Sequence, residues 1–218
     1  MIKAVIFDMD GTIFDTEVIY RKSWVTAVEE MKLDIDILSE LPNITGRNHK
    51  NTEQYFAQNY GADFPFLELF ATMWKHSDRV LESNVPTRPY IPKTLETLKQ
   101  AGILQAIASS TNRTRVQHYL DVSGYGDFFD AVISGERVQN GKPAPDIFLL
   151  AAETLGVRPE ECVVVEDSRQ GVLAGIAAGM RTVMIPEFQP CTEDLKKGLW
   201  LCLEDAKDLA AHVLALNQ

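Results

Sequence analysis

The stretch Ile2-Lys3-Ala4-Val5-Ile6-Phe7-Asp8-Met9-Asp10-Gly11-Thr12 (residues 2–12) decides the architecture. Residues 2–7 form an apolar run that stops at Asp8, the pattern of a strand buried on both faces. The two carboxylates that follow are spaced i, i+2 around a turn that Gly11 can make sharply. In an open parallel sheet, ligands bind in the crevice at the carboxyl ends of the strands, which is where such a turn places Asp8 and Asp10. One carboxylate can bind a metal and attack, while the other handles a proton. Taken alone, an Asp-x-Asp is more often a solvated acidic loop. The segment from Asp8 also resembles a calcium-binding EF-hand loop, but glycine follows the third position rather than the fifth, no glutamate occupies the twelfth, and a strand precedes it.

Working outward, four more apolar runs read as strands: 103–108 (ILQAIA), 130–133 (DAVI), 162–165 (CVVV) and the shorter 182–185 (TVMI). Helical patterns alternate with them. Residues 92–101 place Leu95, Leu98 and Ala101 on one face ahead of Gly102, and residues 145–155 carry Ile147, Ala151 and Leu155 ahead of Gly156. Residues 168–178 begin at Ser168, a good N-cap. Strands alternating with helices of this length predict an α/β fold, a doubly wound parallel sheet.

The stretch 16–84 breaks that alternation. Tyr20, Trp24, Ala27, Val28 and Met31 fall at helical spacing, as do Phe66, Phe70, Met73 and Trp74, and 51–60 is also helical in pattern. With no strand among them, residues 16–84 are expected to be an all-helical domain inserted into an α/β core of residues 1–15 and 85–218. Three prolines in 85–92 (VPTRPYIP) suit a stiff connection back into that core.

The chain has 218 residues and a formal net charge of −10. So acidic a chain does not fit a general nucleic-acid binder, which needs a basic surface. A site for an anion must then reverse the field locally with a metal and a few placed cations. No apolar run is long enough to span a membrane, and the short apolar start lacks the features of a signal peptide, so a cytoplasmic protein, monomeric or weakly oligomeric, is expected. Cys162, Cys191 and Cys202 form no CxxC pair and read as buried or incidental thiols.

Three further features fall at predicted strand ends or helix starts. Glu166-Asp167 follows CVVV; the pair can favour the macrodipole of the following helix or, with the first acidic turn, build an oxygen-rich cage for Mg²⁺. Ser109 and Ser110 in AIASST lie where a strand leads into a helix, a place for an N-cap or an anion site. Lys142, between Gly141 and Pro143, can hold a fixed positive charge in the crevice, though a loop lysine is usually just solvated. No GxGxxG follows the first strand and no GxxxxGK[ST] occurs, which removes the common nucleotide-binding signatures. Gly171, Gly175 and Gly179 read as close packing of a helix on the sheet.

In this order, the motifs DMDGT (Asp8, Asp10), Ser109, GKPAPDIF (Lys142) and VVVEDS (Glu166, Asp167) resemble the haloacid dehalogenase superfamily of phosphotransferases over essentially the whole chain. The insert after the first motif is similar to the cap of the β-phosphoglucomutase and small-metabolite phosphatase branch. The resemblance implies that Asp8 is a nucleophile carrying an aspartyl-phosphate and also a ligand of Mg²⁺. It implies that Asp10 donates and then accepts a proton, its backbone carbonyl on the metal, and that Glu166 and Asp167 complete the metal shell. Ser109, with Ser110, would hydrogen-bond the phosphoryl group, and Lys142 would neutralise charge. Candidate substrate residues on the cap are Tyr20 and Trp24, the loop 45–49 with Arg47 and His49, and Lys75 on the last cap helix. Trp24 and Trp74 read more readily as cap core. Compared with β-phosphoglucomutase, Tyr20 stands where that enzyme has a histidine, and His49 where it has a phosphate-binding arginine. The resemblance therefore implies a phosphatase of a small phosphorylated metabolite, with a phosphosugar mutase as the alternative and a non-catalytic binding protein as a more distant one.

Overall fold

The computed structural model describes all 218 residues. Six strands form one parallel sheet: β1 (Ala4–Phe7), β2 (Leu104–Ser109), β3 (Ala131–Ser134), β4 (Cys162–Glu166), β5 (Arg181–Met184) and β6 (Leu201–Cys202). Their spatial order is β3-β2-β1-β4-β5-β6. The order reverses between β1 and β4, and that is the switch point at which such sheets bind ligands. Phe7 pairs with Ile107 on one side and with Val165 on the other, so Asp8 comes level with Ala108 and Glu166.

The strands are apolar because both faces are covered. Side chains alternate in direction along a strand, so Val5 and Phe7 join one apolar cluster while Ala4 and Ile6 join another. The second cluster is closed by α7 (Asp146–Leu155) and α8 (Arg169–Ala177). The first is closed by α5 (Ile91–Gln100), α6 (Arg113–Ser123) and α10 (Leu209–Ala215). Side-chain caps start two of these helices, α6 and α8: Asn112 Oδ1 accepts from Arg115 N at 3.0 Å and Ser168 Oγ from Gly171 N at 3.1 Å.

Residues 16–84 hold α1 (Glu17–Met31), α2 (Ile37–Ile44), α3 (His49–Tyr60) and α4 (Phe66–Leu81), and no strand. Their apolar side chains, among them Trp24, Phe56 and Leu69, are continuous with the cluster beneath the sheet. Two connections join the insert to the sheet, and they lie against each other. Asp15 N donates to Pro86 O at 2.8 Å and Arg88 N to Ile13 O at 2.9 Å, so the proline-rich segment is braced along its partner.

Three elements depart from the expected pattern. Helix α2 was hidden by Pro42, which sits inside it; Ile37, Leu41 and Ile44 nevertheless bury one face at helical spacing. Strand β6 is two residues long, and α9 (Glu193–Lys196) is a single turn, both too short to show a period. No helix is long and apolar enough to cross a membrane.

Candidate active site

Asp8 leaves β1 with its N–H still donating to Val165 O at 2.9 Å, so its side chain is fixed at the switch point. Glu166 ends β4, and Asp167 begins the loop to α8. One carboxylate oxygen from each of Asp8, Glu166 and Asp167 lies within 4.8 Å of the other two, and all three side chains are buried. Lys142 reaches the same point from the loop before α7 and is 1 % exposed. Its ammonium donates to Asp8 Oδ1, to Glu166 Oε1 at 2.6 Å and to Ala108 O at 3.1 Å. Glu166 Oε2 accepts from the amides of Asp167 and Ser168, each at 3.1 Å, and from Ser168 Oγ at 2.9 Å.

Three acids around one lysine leave a net negative centre in a dry place. Burial pushes the Asp8 carboxyl well above the usual carboxylate range; Lys142 pulls it back and Glu166 pushes it further up. Burial raises the Asp167 carboxyl too, with Glu166 and Asp8 adding repulsion. For Lys142, burial works against the ammonium, but Asp8 and Glu166 outweigh it and its pKa rises. A donor set of carboxylate oxygens only, short of positive charge, fits a hard divalent cation and not a soft one.

Glycines let the two acidic loops approach. At Gly11, where φ is +78°, a Cβ would stand 2.3 Å from Asp167 Oδ2. At Gly171, in the first turn of α8, a Cβ would stand 1.6 Å from Glu166 Oε1. Of the three glycines at helical spacing, only Gly175 meets the sheet in the expected way, against Thr182 and Val164; Gly171 makes room for a carboxylate and Gly179 turns the chain after the helix. Gly171→Ala is therefore expected to displace Glu166 and lower divalent-cation affinity by about 10- to 100-fold, the usual cost of disturbing a ligand's supports. Isothermal titration checks it, and an unchanged affinity would mean that Glu166 does not shape the cation site.

Asp10 stands apart from this cluster and faces three hydroxyls. Thr16 Oγ1 and Tyr20 OH donate to its Oδ1 at 2.8 and 2.7 Å, and Thr111 Oγ1 donates to its Oδ2 at 2.7 Å. Ser109 is 1 % exposed; its Oγ accepts from Thr111 N at 3.1 Å, which leaves its own proton uncommitted. Asp8, Asp10, Ser109, Ser110 and Asp167 open into a cavity of about 540 Å³ roofed by the helical insert.

Tyr20, Trp24, Arg47 and His49 line that cavity. Trp24 also packs on Phe56 and Phe70, so it serves the insert's core as well. Arg47 Nε is buried without a hydrogen-bond partner. His49 is the first residue of α3 rather than part of a loop, its ring against Phe66 and Phe70. Lys75 requires correction: it lies outside the lining, exposed, with its ammonium 3.5 Å from Glu30, because one residue beyond Trp74 is a rotation of about 100° around the helix. Ser110 Oγ donates to Gly46 O at 2.9 Å, so its one proton goes to the insert and not to a bound anion.

Sequence reasoning missed Thr16, Thr111 and Glu17. Thr111 belongs to the same hydroxyl run as Ser109, and Thr16 follows Asp10 by six residues, signals that were available. Glu17 opens α1 and lines the cavity; burial, then the charges of Asp10 and Glu187, push its carboxyl up to about 8.

The chain is similar to known proteins over most of its length. CbbY of Rhodobacter capsulatus is 29% identical over 210 residues, which covers 91% of this chain and 92% of that protein. Hexitol phosphatase B of Escherichia coli K12 is 30% identical over 186 residues, covering 85% and 84%. A crystal structure of a CbbY variant from Rhodobacter sphaeroides in complex with xylulose-(1,5)bisphosphate matches with a TM-score of 0.81 at 27% identity, over 96% of each chain. A family model described as haloacid dehalogenase-like hydrolase matches residues 5–185. That span runs from β1 through β5 and holds both acidic strand ends, and on this match the chain belongs to the haloacid dehalogenase-like hydrolase family.

Proposed function

We propose that this protein is a Mg²⁺-dependent phosphatase of a small phosphorylated metabolite, a sugar phosphate or similar monoester, with Asp8 carrying the phosphoryl group between two half-reactions. The observation that supports it most is the convergence of Asp8, Lys142, Glu166 and Asp167 at the switch point of the sheet, beneath a roofed cavity. Phosphoryl transfer needs in-line positioning and charge neutralisation above all, and these residues supply both. The names of hexitol phosphatase B and of the xylulose bisphosphate complex point to the same substrate class.

In this reading, an Asp8 carboxylate oxygen attacks phosphorus while Lys142 offsets the charge between nucleophile and phosphoryl oxygens. Ser109 donates its free hydroxyl proton to one of those oxygens. Asp10 gives a proton to the departing alkoxide and then takes one from the water that cleaves the phosphoryl group from Asp8. When bound, Mg²⁺ supplies positive charge beside the transferring oxygens, and Asp8 and Asp167, the Asp10 carbonyl, and Glu166 directly or through water would hold it. Helices α1–α4, as a cap of residues 16–84, exclude bulk water and present Tyr20, Trp24, Arg47 and His49 to the substrate.

A phosphosugar mutase is the second reading, favoured by one feature: the unpartnered Arg47 Nε in the cavity wall can receive a second phosphate. Release of inorganic phosphate from a phosphosugar panel, with and without Mg²⁺, tests the main proposal. Turnover is expected to fall at least about 100-fold on chelation, as for removal of a dominant electrostatic contribution. Chelator-resistant turnover would contradict the metal assignment. With β-glucose 1-phosphate and a trace of the 1,6-bisphosphate, free glucose and phosphate support the phosphatase, and glucose 6-phosphate the mutase.

A further inference from the structure

Tyr119 heads the largest fully buried side chains of the molecule, and the chemistry above gives its hydroxyl no task. It lies on α6, outside every motif loop. Its OH is 2.8 Å from the OH of Tyr20, which belongs to α1 of the insert. Tyr20 OH in turn donates to Asp10 Oδ1 at 2.7 Å. Each phenol has one proton, and a carboxylate only accepts. While Asp10 is a carboxylate, Tyr20 gives it its proton and receives the proton of Tyr119, whose hydroxyl has no other hydrogen-bond partner.

The same face of α6 steadies the Tyr20 ring. Arg115, one turn before Tyr119, lies 3.6 Å over the Trp74 ring and donates to both Asp78 carboxylate oxygens at 2.9 and 3.0 Å. Trp74 then meets the Tyr20 ring edge-on with centroids 5.1 Å apart. Of the three hydroxyls on Asp10, that of Thr111 sits on a loop of the core and that of Thr16 on the first residue of the insert, the N-cap of α1. The Tyr20 hydroxyl arrives on the insert, and its direction is set by α6.

We infer that Tyr119 is a positioning residue for proton transfer at Asp10, acting through the Tyr20 hydroxyl. The inference rests on the phosphatase reading and assigns Tyr119 no contact with substrate. Tyr119→Phe removes one oxygen and keeps the ring. The readout is kcat/KM on a sugar phosphate divided by kcat/KM on p-nitrophenyl phosphate, because an alkoxide needs a proton to leave and p-nitrophenolate does not. The ratio is independent of the fraction of enzyme that is folded, so reduced stability does not imitate the effect, and a small folded fraction suffices.

The ratio is expected to fall about five- to ten-fold in Tyr119→Phe, the worth of one hydrogen bond. Tyr20→Phe should lower it at least as far, and the double variant no further than Tyr20→Phe alone, since one residue acts through the other. A ratio held within about two-fold, or losses that multiply in the double variant, overturns the assignment and returns Tyr119 to core packing. Wild-type protein that hydrolyses neither substrate would instead sink the phosphatase reading, so the two failures are told apart.

Discussion

Asp8→Asn is expected to lower turnover at least about a thousand-fold while leaving the fold as stable as before, or more so. The amide is isosteric with the carboxylate and keeps an oxygen for the Lys142 ammonium. What it lacks is the anionic oxygen that attacks phosphorus. Burial disfavours that charge in the cation-free protein, which is why the Asp8 carboxyl is pushed so far up. Removing it therefore relieves repulsion with Glu166, and the melting temperature in chelator should hold or rise. Two roles of Asp8 are separable in one experiment. A residue that only binds Mg²⁺ can be compensated by more Mg²⁺, whereas a missing nucleophile cannot. Phosphate release across a Mg²⁺ titration decides between them, and recovery of more than about a tenth of wild-type activity at high Mg²⁺ would remove Asp8 as the nucleophile.

The residues that could be read from sequence are those whose chemistry is local in the chain. Asp8 and Asp10 share one turn, Glu166 and Asp167 another, and each follows a strand that its apolar run announces. The doubly wound sheet was legible for the same reason: both faces are buried, so β1, β2 and β4 carry no polar alternation to confuse with a helix. What stayed hidden depends on relations across the fold. The ammonium of Lys142 bridging Asp8 and Glu166 joins three segments far apart in sequence; its loop and the resemblance suggested a positive charge in the crevice, but not the bridge to Glu166. Tyr119 looks like any apolar position on the inner face of α6, and its hydroxyl acquires meaning only when α1 lies beside it. Lys75 was misplaced by helix phase, since Trp74 faces the cavity and its successor does not. Pro42 masked α2 because a proline inside eight residues normally argues against a helix, and burial of Ile37, Leu41 and Ile44 overrode that local preference.

Lys142→Met should fail in both respects, activity and stability, and the contrast with Asp8→Asn is informative because the two residues form one ion pair. Methionine fills nearly the same volume, so the loss is one of charge and not of packing. Without the ammonium, the Asp8 and Glu166 carboxylates face each other at a buried point, with Glu166 0 % and Asp8 7 % exposed. Breaking a buried pair from one side costs about 3–5 kcal/mol, because the remaining charge is left uncompensated. Urea denaturation in chelator should show that loss, while Asp8→Asn under the same conditions shows none. Saturating Mg²⁺ should recover more stability in Lys142→Met than in wild type, since a cation that binds the folded state offsets more repulsion there. Turnover should nevertheless stay about 10²- to 10³-fold down, because the lysine's donors and charge belong to the site's fixed electrostatics. A Lys142→Met variant as stable as wild type in chelator would mean that the ammonium is not what holds these acids together. The opposed charges beneath the phosphoryl group would then not be the organising feature of the site.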